Sequence, residues 1–173
     1  DILTCGALPL FFLDYIGMGQ MDANIASSVV DGMVRACKDS NCSLIGGETA
    51  ELPGLYTPNN LDLVGFIVGL VERGDLIDGK SIHEGDVVVG ISSSGLHTNG
   101  YSLVRKIFNL DQNTEVLRKY FDQIGSELGE VLLTPHRPYM QLLSPVLPII
   151  KGMAHITGGG LLENPPRILP DNL

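Results

Sequence analysis

The chain has 173 residues and a mass of 18.6 kDa, with 44% apolar and 18% charged residues and a mean hydropathy of +0.20. That composition suits a folded domain with a core, not a disordered or collagenous chain. The net charge of -9 excludes nucleic-acid backbone and anionic membrane as main partners, since both demand a basic surface. A small phosphorylated ligand stays open, because backbone N–H groups and metal ions also bind phosphate. The three cysteines, Cys5, Cys37 and Cys42, show no C-x-x-C spacing and read as reduced thiols of a cytosolic protein. No apolar run reaches the ~18 residues of a membrane span, and no signal segment opens the chain. The first residue is Asp1 rather than Met, so either a leader was removed or the chain is an internal piece.

In chain order, Leu8–Tyr15 is an apolar, aromatic run of strand length. A helix follows, with Asp22 as N-cap and Ile25, Val29, Met33, Ala36 and Cys37 near one face. Ser43–Ile45 predicts a short strand ending at Gly46-Gly47, and a Pro/Gly/Asn-rich loop leads to a strand over Leu61–Glu72. Gly65 and Gly69 within that strand predict a bulge or a close crossing. Arg73–Asp86 is polar and glycine-punctuated and reads as a linker. Beyond it the sequence predicts a strand at Val87–Ile91, a loop at Ser92–Gly100, and helices over Tyr101–Phe108 and Thr114–Leu132. Another short helix should end near Pro145, and a strand should span Met153–Ile156. Alternating strands and helices predict a mixed α/β fold in two parts.

Four segments join glycines to polar side chains. Asp1-x4-Gly6-Ala7-x-Pro9 begins with an acid that could bind metal, although a solvated terminal acid is the simpler reading. Gly46-Gly47-Glu48-Thr49-Ala50-Glu51 lets backbone approach a ligand and sets two carboxylates around a hydroxyl, oxygen ligands of the kind Mg²⁺ prefers. A tight turn with exposed acids fits the same spacing. Ser92-Ser93-Ser94-Gly95-Leu96-His97-Thr98-Asn99-Gly100 holds five hydroxyl or amide side chains where a helix cap needs one. It therefore reads as an anion site, with His97 placed to exchange a proton. His155-Ile156-Thr157-Gly158-Gly159-Gly160 spends three glycines, each entropically costly to order. It reads as a phosphate cradle with His155 beside it. His83 and His136 read as surface residues, and Phe11–Phe12 as core. Neither a Walker loop, a Rossmann glycine fingerprint nor a G-x-S-x-G elbow occurs.

Taken together, these four segments, extended through Leu10–Tyr15, Leu52-Pro53-Gly54 and Tyr101–Arg105, resemble the aminoimidazole ribonucleotide synthetase (phosphoribosylformylglycinamidine cyclo-ligase) family. The resemblance runs from the first residue to the last in the family's motif order. It implies a two-domain synthetase fold truncated at both ends, because family members are roughly twice as long. Residues 1–80 would be the later part of an N-terminal ATP-binding and dimerisation domain, and 81–173 the first part of the C-terminal domain. It further implies ATP-dependent ring closure of formylglycinamidine ribonucleotide to aminoimidazole ribonucleotide, with ADP and phosphate released, in purine biosynthesis in the cytoplasm.

By motif position, Asp1, Gly46, Gly47, Glu48, Thr49 and Glu51 resemble the ATP side, with Asp1 and Glu48 as Mg²⁺ ligands. Ser94, Asn99, Thr157, Gly158, Gly159 and Gly160 resemble the substrate and phosphate side, with His97 and His155 as acid or base. The family is a homodimer joined through its N-terminal sheets, which implies apolar surface on the strands at Leu8–Tyr15 and Leu61–Glu72 and poor solubility for this chain alone. Related synthetases and kinases, such as thiamine-monophosphate kinase and selenophosphate synthetase, share the double-glycine motif. An inactive fragment or nucleotide-binding module is the alternative of a different class.

Overall fold

A computed structural model describes residues 1–171. The chain forms a mixed α/β fold divided into two compact units. Asp1–Ser81 and Pro138–Met153 make the first, and Ile82–Arg137 with the chain from Ala154 onward makes the second.

The first unit is built on β1 (Leu8–Met18), the middle strand of a three-stranded sheet. It runs parallel to β2 (Ser43–Glu51) and antiparallel to β3 (Leu61–Leu70). The parallel pair is joined by α1 (Ala23–Asp39), which returns the chain to the start of β2. Asp22 begins α1 as expected: its carboxylate accepts the N–H groups of Asn24 and Ile25 at 2.8 and 3.2 Å, satisfying donors that a helix start leaves unpaired. Ala26, Val29 and Met33 pack on Phe12, Ile16, Met18 and Leu44. Period-two alternation sends Phe11, Leu13 and Tyr15 to the opposite face, beside Val64, Phe66 and Val68 of β3. Phe12 is thus core, whereas Phe11 is not part of the same layer. α4 (Met140–Leu143) belongs to this unit, where Gln141 donates to the Asp39 carbonyl at 2.8 Å.

Both unusual glycines of β3 have a packing reason. The Phe12 ring lies where a Cβ on Gly65 would be, and Gly69 faces the Leu8 carbonyl beside a register shift between Pro9 and Phe11. β2 is longer than expected. A bulge against Phe12–Leu13 carries it straight through Gly46-Gly47, so the Gly-Gly-Glu-Thr-Ala-Glu segment is strand rather than a loop at a strand end.

The second unit departs further from sequence expectation. Val87–Ile91 is not a strand, and Val87, Val88 and Val89 are exposed. A β-branched run becomes a strand only where an edge accepts its backbone groups. Among the described residues this unit has one small sheet, β4 (Tyr120–Phe121) with β5 (Ser126–Glu127). That hairpin also interrupts the helix expected over Thr114–Leu132. A 3-10 turn at Thr114–Arg118 leads into it, Gly125 takes the left-handed conformation (φ 64°) at its turn, and α3 (Leu128–Leu132) follows. α2 (Tyr101–Phe108) matches its expected bounds. Met153–Ile156 is irregular and leads through Thr157–Gly159 to α5 (Gly160–Glu163). No helix among the described residues is long and apolar enough to cross a membrane.

Ile16 is 1% exposed at the centre of the core cluster. Ile16→Ala is expected to cost about 2–5 kcal/mol in urea unfolding, and Asp22→Ala about 1 kcal/mol through the lost cap. A larger loss from Asp22→Ala than from Ile16→Ala would contradict this ordering.

Candidate functional site

In the second unit, the loop before α2 is held by bonds to one other segment, Leu132–Arg137. Ser94 Oγ donates to the Pro135 carbonyl at 2.9 Å, and the Tyr101 hydroxyl donates to the Leu132 carbonyl at 2.8 Å. Arg137 reaches the Ser92 carbonyl and hydroxyl at 3.3 and 3.4 Å. Proline supplies a carbonyl but no N–H, so Pro135 can serve only as an acceptor here. Gly100, at φ 103°, opens α2 without a side-chain cap. Thr98 and Asn99 are therefore not capping α2, and both stand exposed.

The same loop orients His97. The Ser94 N–H donates to His97 Nε2 at 3.0 Å, and Ser94 Oγ lies 2.9 Å from the same nitrogen. The amide N–H can only donate, which favours Nε2 as acceptor and the proton on Nδ1; the direction of the Oγ contact depends on the tautomer. The His136 ring stacks on His97 with centroids 3.8 Å apart and planes inclined by 24°. On its other side lies His155, with centroids at 6.2 Å and a tilt of 35°. Burial, then the neighbouring His97 and His155, hold the His136 imidazole below the usual histidine range. His136 is exposed, as a surface reading expects, and its ring also forms the centre of a three-imidazole cluster.

The triple-glycine segment is shaped from behind by Asn164, the one polar residue buried among the described positions, at 4% exposure. Its amide donates to the carbonyls of Gly160, Gly158 and Thr157 at 2.8, 3.2 and 3.4 Å, and its oxygen accepts the Thr157 hydroxyl at 3.3 Å. Gly159 and Gly160 are left-handed, at φ 90° and 61°. A Cβ on Gly159 would meet the Glu163 carboxylate. The glycines are thus needed for the backbone path itself. With Asn164 occupying three carbonyls, what the turn can offer a ligand is backbone N–H, which suits an anion.

In the first unit, Gly47 is required because Asp14 of β1, backbone and carboxylate, lies where its Cβ would be; Gly46 faces open space. Glu48 Oε1 accepts the Thr49 N–H at 3.0 Å, and Glu51 Oε2 accepts the Met21 N–H at 2.6 Å. The Asp1 carbonyl accepts both the N–H and the hydroxyl of Thr4, at 3.0 and 2.7 Å, starting a 3-10 turn over Ile2–Cys5. Ile2 abuts Gly69, which pairs with Pro9, whereas Glu48 pairs with Tyr15. Six strand positions at about 3.3 Å each separate these points by roughly 20 Å. Asp1 and Glu48 thus belong to separate positions along β1. No group of three or more His, Cys, Asp or Glu among the described residues has metal-site geometry.

Sequence reasoning gave His136, Arg137 and Asn164 no role in the site. The flanking prolines, Pro135 and Pro138, marked the first two as loop, and no periodicity says against what a loop will pack. Asn164 did carry a signal, since a short polar amide four residues after a glycine run is placed to bond that run's carbonyls.

Two family models match the chain: the N-terminal domain of AIR synthase related protein over residues 1–71, and its C-terminal domain over residues 83–173. Curated relatives include the phosphoribosylformylglycinamidine cyclo-ligases of Caldicellulosiruptor bescii and Alkaliphilus metalliredigens. Each is 51% identical over 175 residues, covering 98% and 100% of this chain respectively and 50% of the relative. The Sorangium cellulosum protein of the same name is 48% identical over 177 residues, covering 100% of this chain and 51% of the relative. The chain spans about half the length of these relatives.

Two outcomes follow from the geometry. Asn164→Ala removes a donor from three carbonyls and should cost ~1–3 kcal/mol, with faster amide exchange at Gly158–Gly160; unchanged exchange there would contradict the brace. A histidine held below its ordinary value binds fewer protons folded than unfolded once pH drops below ~6.5. The stability contributed by neutral His136 is therefore lost on acidification, and His136→Gln should flatten the fall in stability between pH 7.5 and 5.5 measured by urea titration.

Proposed function

The chain belongs to the AIR synthase related protein family, and from that premise we propose that it is the central part of an ATP-dependent cyclo-ligase of purine biosynthesis. The reaction is closure of formylglycinamidine ribonucleotide to aminoimidazole ribonucleotide with release of ADP and phosphate. The observation that carries this reading is the assembly, in one unit, of His97, His155 and the Asn164-braced glycine turn. The relatives given above carry the cyclo-ligase name, which does not favour a thiamine-monophosphate kinase or selenophosphate synthetase.

The chemistry accounts for the residue types. An amide oxygen is a poor leaving group until ATP phosphorylates it. The amidine nitrogen then attacks the same carbon; a C–N bond forms, the C–O bond breaks, phosphate departs with the amide oxygen, and the nitrogen gives up a proton. His155, exposed beside the glycine turn, is assigned to accept that proton. His97, with Nε2 engaged by Ser94, offers Nδ1–H to the departing phosphate. The N–H groups of Gly158–Gly160, with Ser94, Asn99 and Thr157, receive phosphate oxygens. Holding both ends of one molecule supplies the proximity that ring closure needs.

The ATP side is assigned to Gly46, Gly47, Glu48, Thr49 and Glu51, with Asp1, by motif position. Asp1 and Glu48 would hold Mg²⁺, by motif position, and no step is routed through it. The homodimer reading rests on the sheet face opposite α1, where Val64 and Phe66 are 50% and 63% exposed. A second copy covering that face would remove its apolar surface from water.

Full-length protein carrying this sequence should form aminoimidazole ribonucleotide with one ADP per ring. His97→Ala and His155→Ala should each lower kcat by about 10²–10⁴-fold, the usual range for acid–base groups. Full turnover in either variant would remove that residue from its role. Phe66→Glu should shift the sedimentation of the same protein from dimer to monomer. An unchanged dimer would place the interface elsewhere.

A further inference from the structure

His136 is the group in the second unit that the proposed chemistry leaves without a task. It is also the ring that both assigned histidines share. It stacks face to face on His97 at 3.8 Å and lies 6.2 Å from His155. Its segment is fastened on both sides, by Pro135 through Ser94 and by Arg137 through Ser92. Of the charged side chains nearby in sequence, Arg137 is turned to Ser92, and Glu163 lies against Gly159.

We infer that His136 is a positioning residue for the two-histidine site: its ring fixes the His97 plane with Nε2 on Ser94 and links the protonation of His97 to that of His155. This deepens the functional reading above and rests on it for the roles of His97 and His155. Two physical effects are involved. A flat ring at van der Waals distance removes the space in which the His97 ring would turn about its χ2 torsion, which is otherwise broad. The charges of His97 and His155 both act on the His136 ring, and such an interaction is mutual.

The test is NMR titration of imidazole resonances in the 173-residue chain, read independently of turnover. In the unsubstituted chain, His97 and His155 should each show a second inflection at the pH where His136 protonates. Nitrogen shifts should report His97 as the Nδ1–H tautomer. His136→Phe keeps a flat ring but cannot titrate; the second inflection should vanish from both neighbours while the tautomer stays. His136→Ala should lose the inflection and leave His97 a mixture of tautomers. Single-step curves in the unsubstituted chain, or a His97 tautomer unchanged in His136→Ala, would overturn the inference. If His136→Ala does not fold, His136→Phe alone decides, through loss or retention of the inflection. A failed ring-closure assay with coupled titration intact would strike the functional reading and leave the cluster standing.

Discussion

The hydroxyl of Ser94, donating to the Pro135 carbonyl, is the contact on which the candidate site depends. The same residue turns its N–H to His97, so one side chain and one amide set both where the loop lies and how the imidazole faces. The unit offers little else to hold that loop, because its strands among the described residues are two residues long. Each such hydrogen bond is worth only about 0.5–1.5 kcal/mol net. Three points of attachment, through Ser94, Tyr101 and Arg137, make the placement cooperative, and the histidine cluster follows from it.

In the first unit the corresponding constraint is the close approach of β1 to both neighbours. Asp14 excludes a side chain at position 47, and Phe12 excludes one at position 65. The glycines that look like a ligand loop in sequence are first of all what permits this sheet to close up. Gly46 differs, since nothing stands near its missing Cβ. The two glycines of one motif thus have separable reasons: Gly47 is explained by packing, and Gly46 by its backbone, at φ 155°.

Legibility followed the range of the interaction. α1 was readable because its cap and its buried stripe are both local, and β1 because six apolar residues in a row, Leu8–Leu13, have few other uses. The four glycine-bearing segments could also be picked out, since their compositions are hard to explain as plain turns. Val87–Ile91 was misread because β propensity says nothing of whether an edge is present to pair with. Thr114–Leu132 was misread because Gly125 and the close approach of Gly129 to Leu117 select a hairpin and a short helix over one continuous helix. His136 was invisible for a related reason: its meaning lies in a stack with residues far away along the chain.

In the proposed ring closure the amide oxygen of formylglycinamidine ribonucleotide leaves as phosphate at a site built from His97, His155 and the glycine turn. Substrate carrying ¹⁸O in that amide, turned over by the full-length protein with unlabelled ATP in ordinary water, tests it directly. One ¹⁸O is expected in each inorganic phosphate released, with the ADP unlabelled. Unlabelled phosphate, with the ¹⁸O found in water, would contradict it.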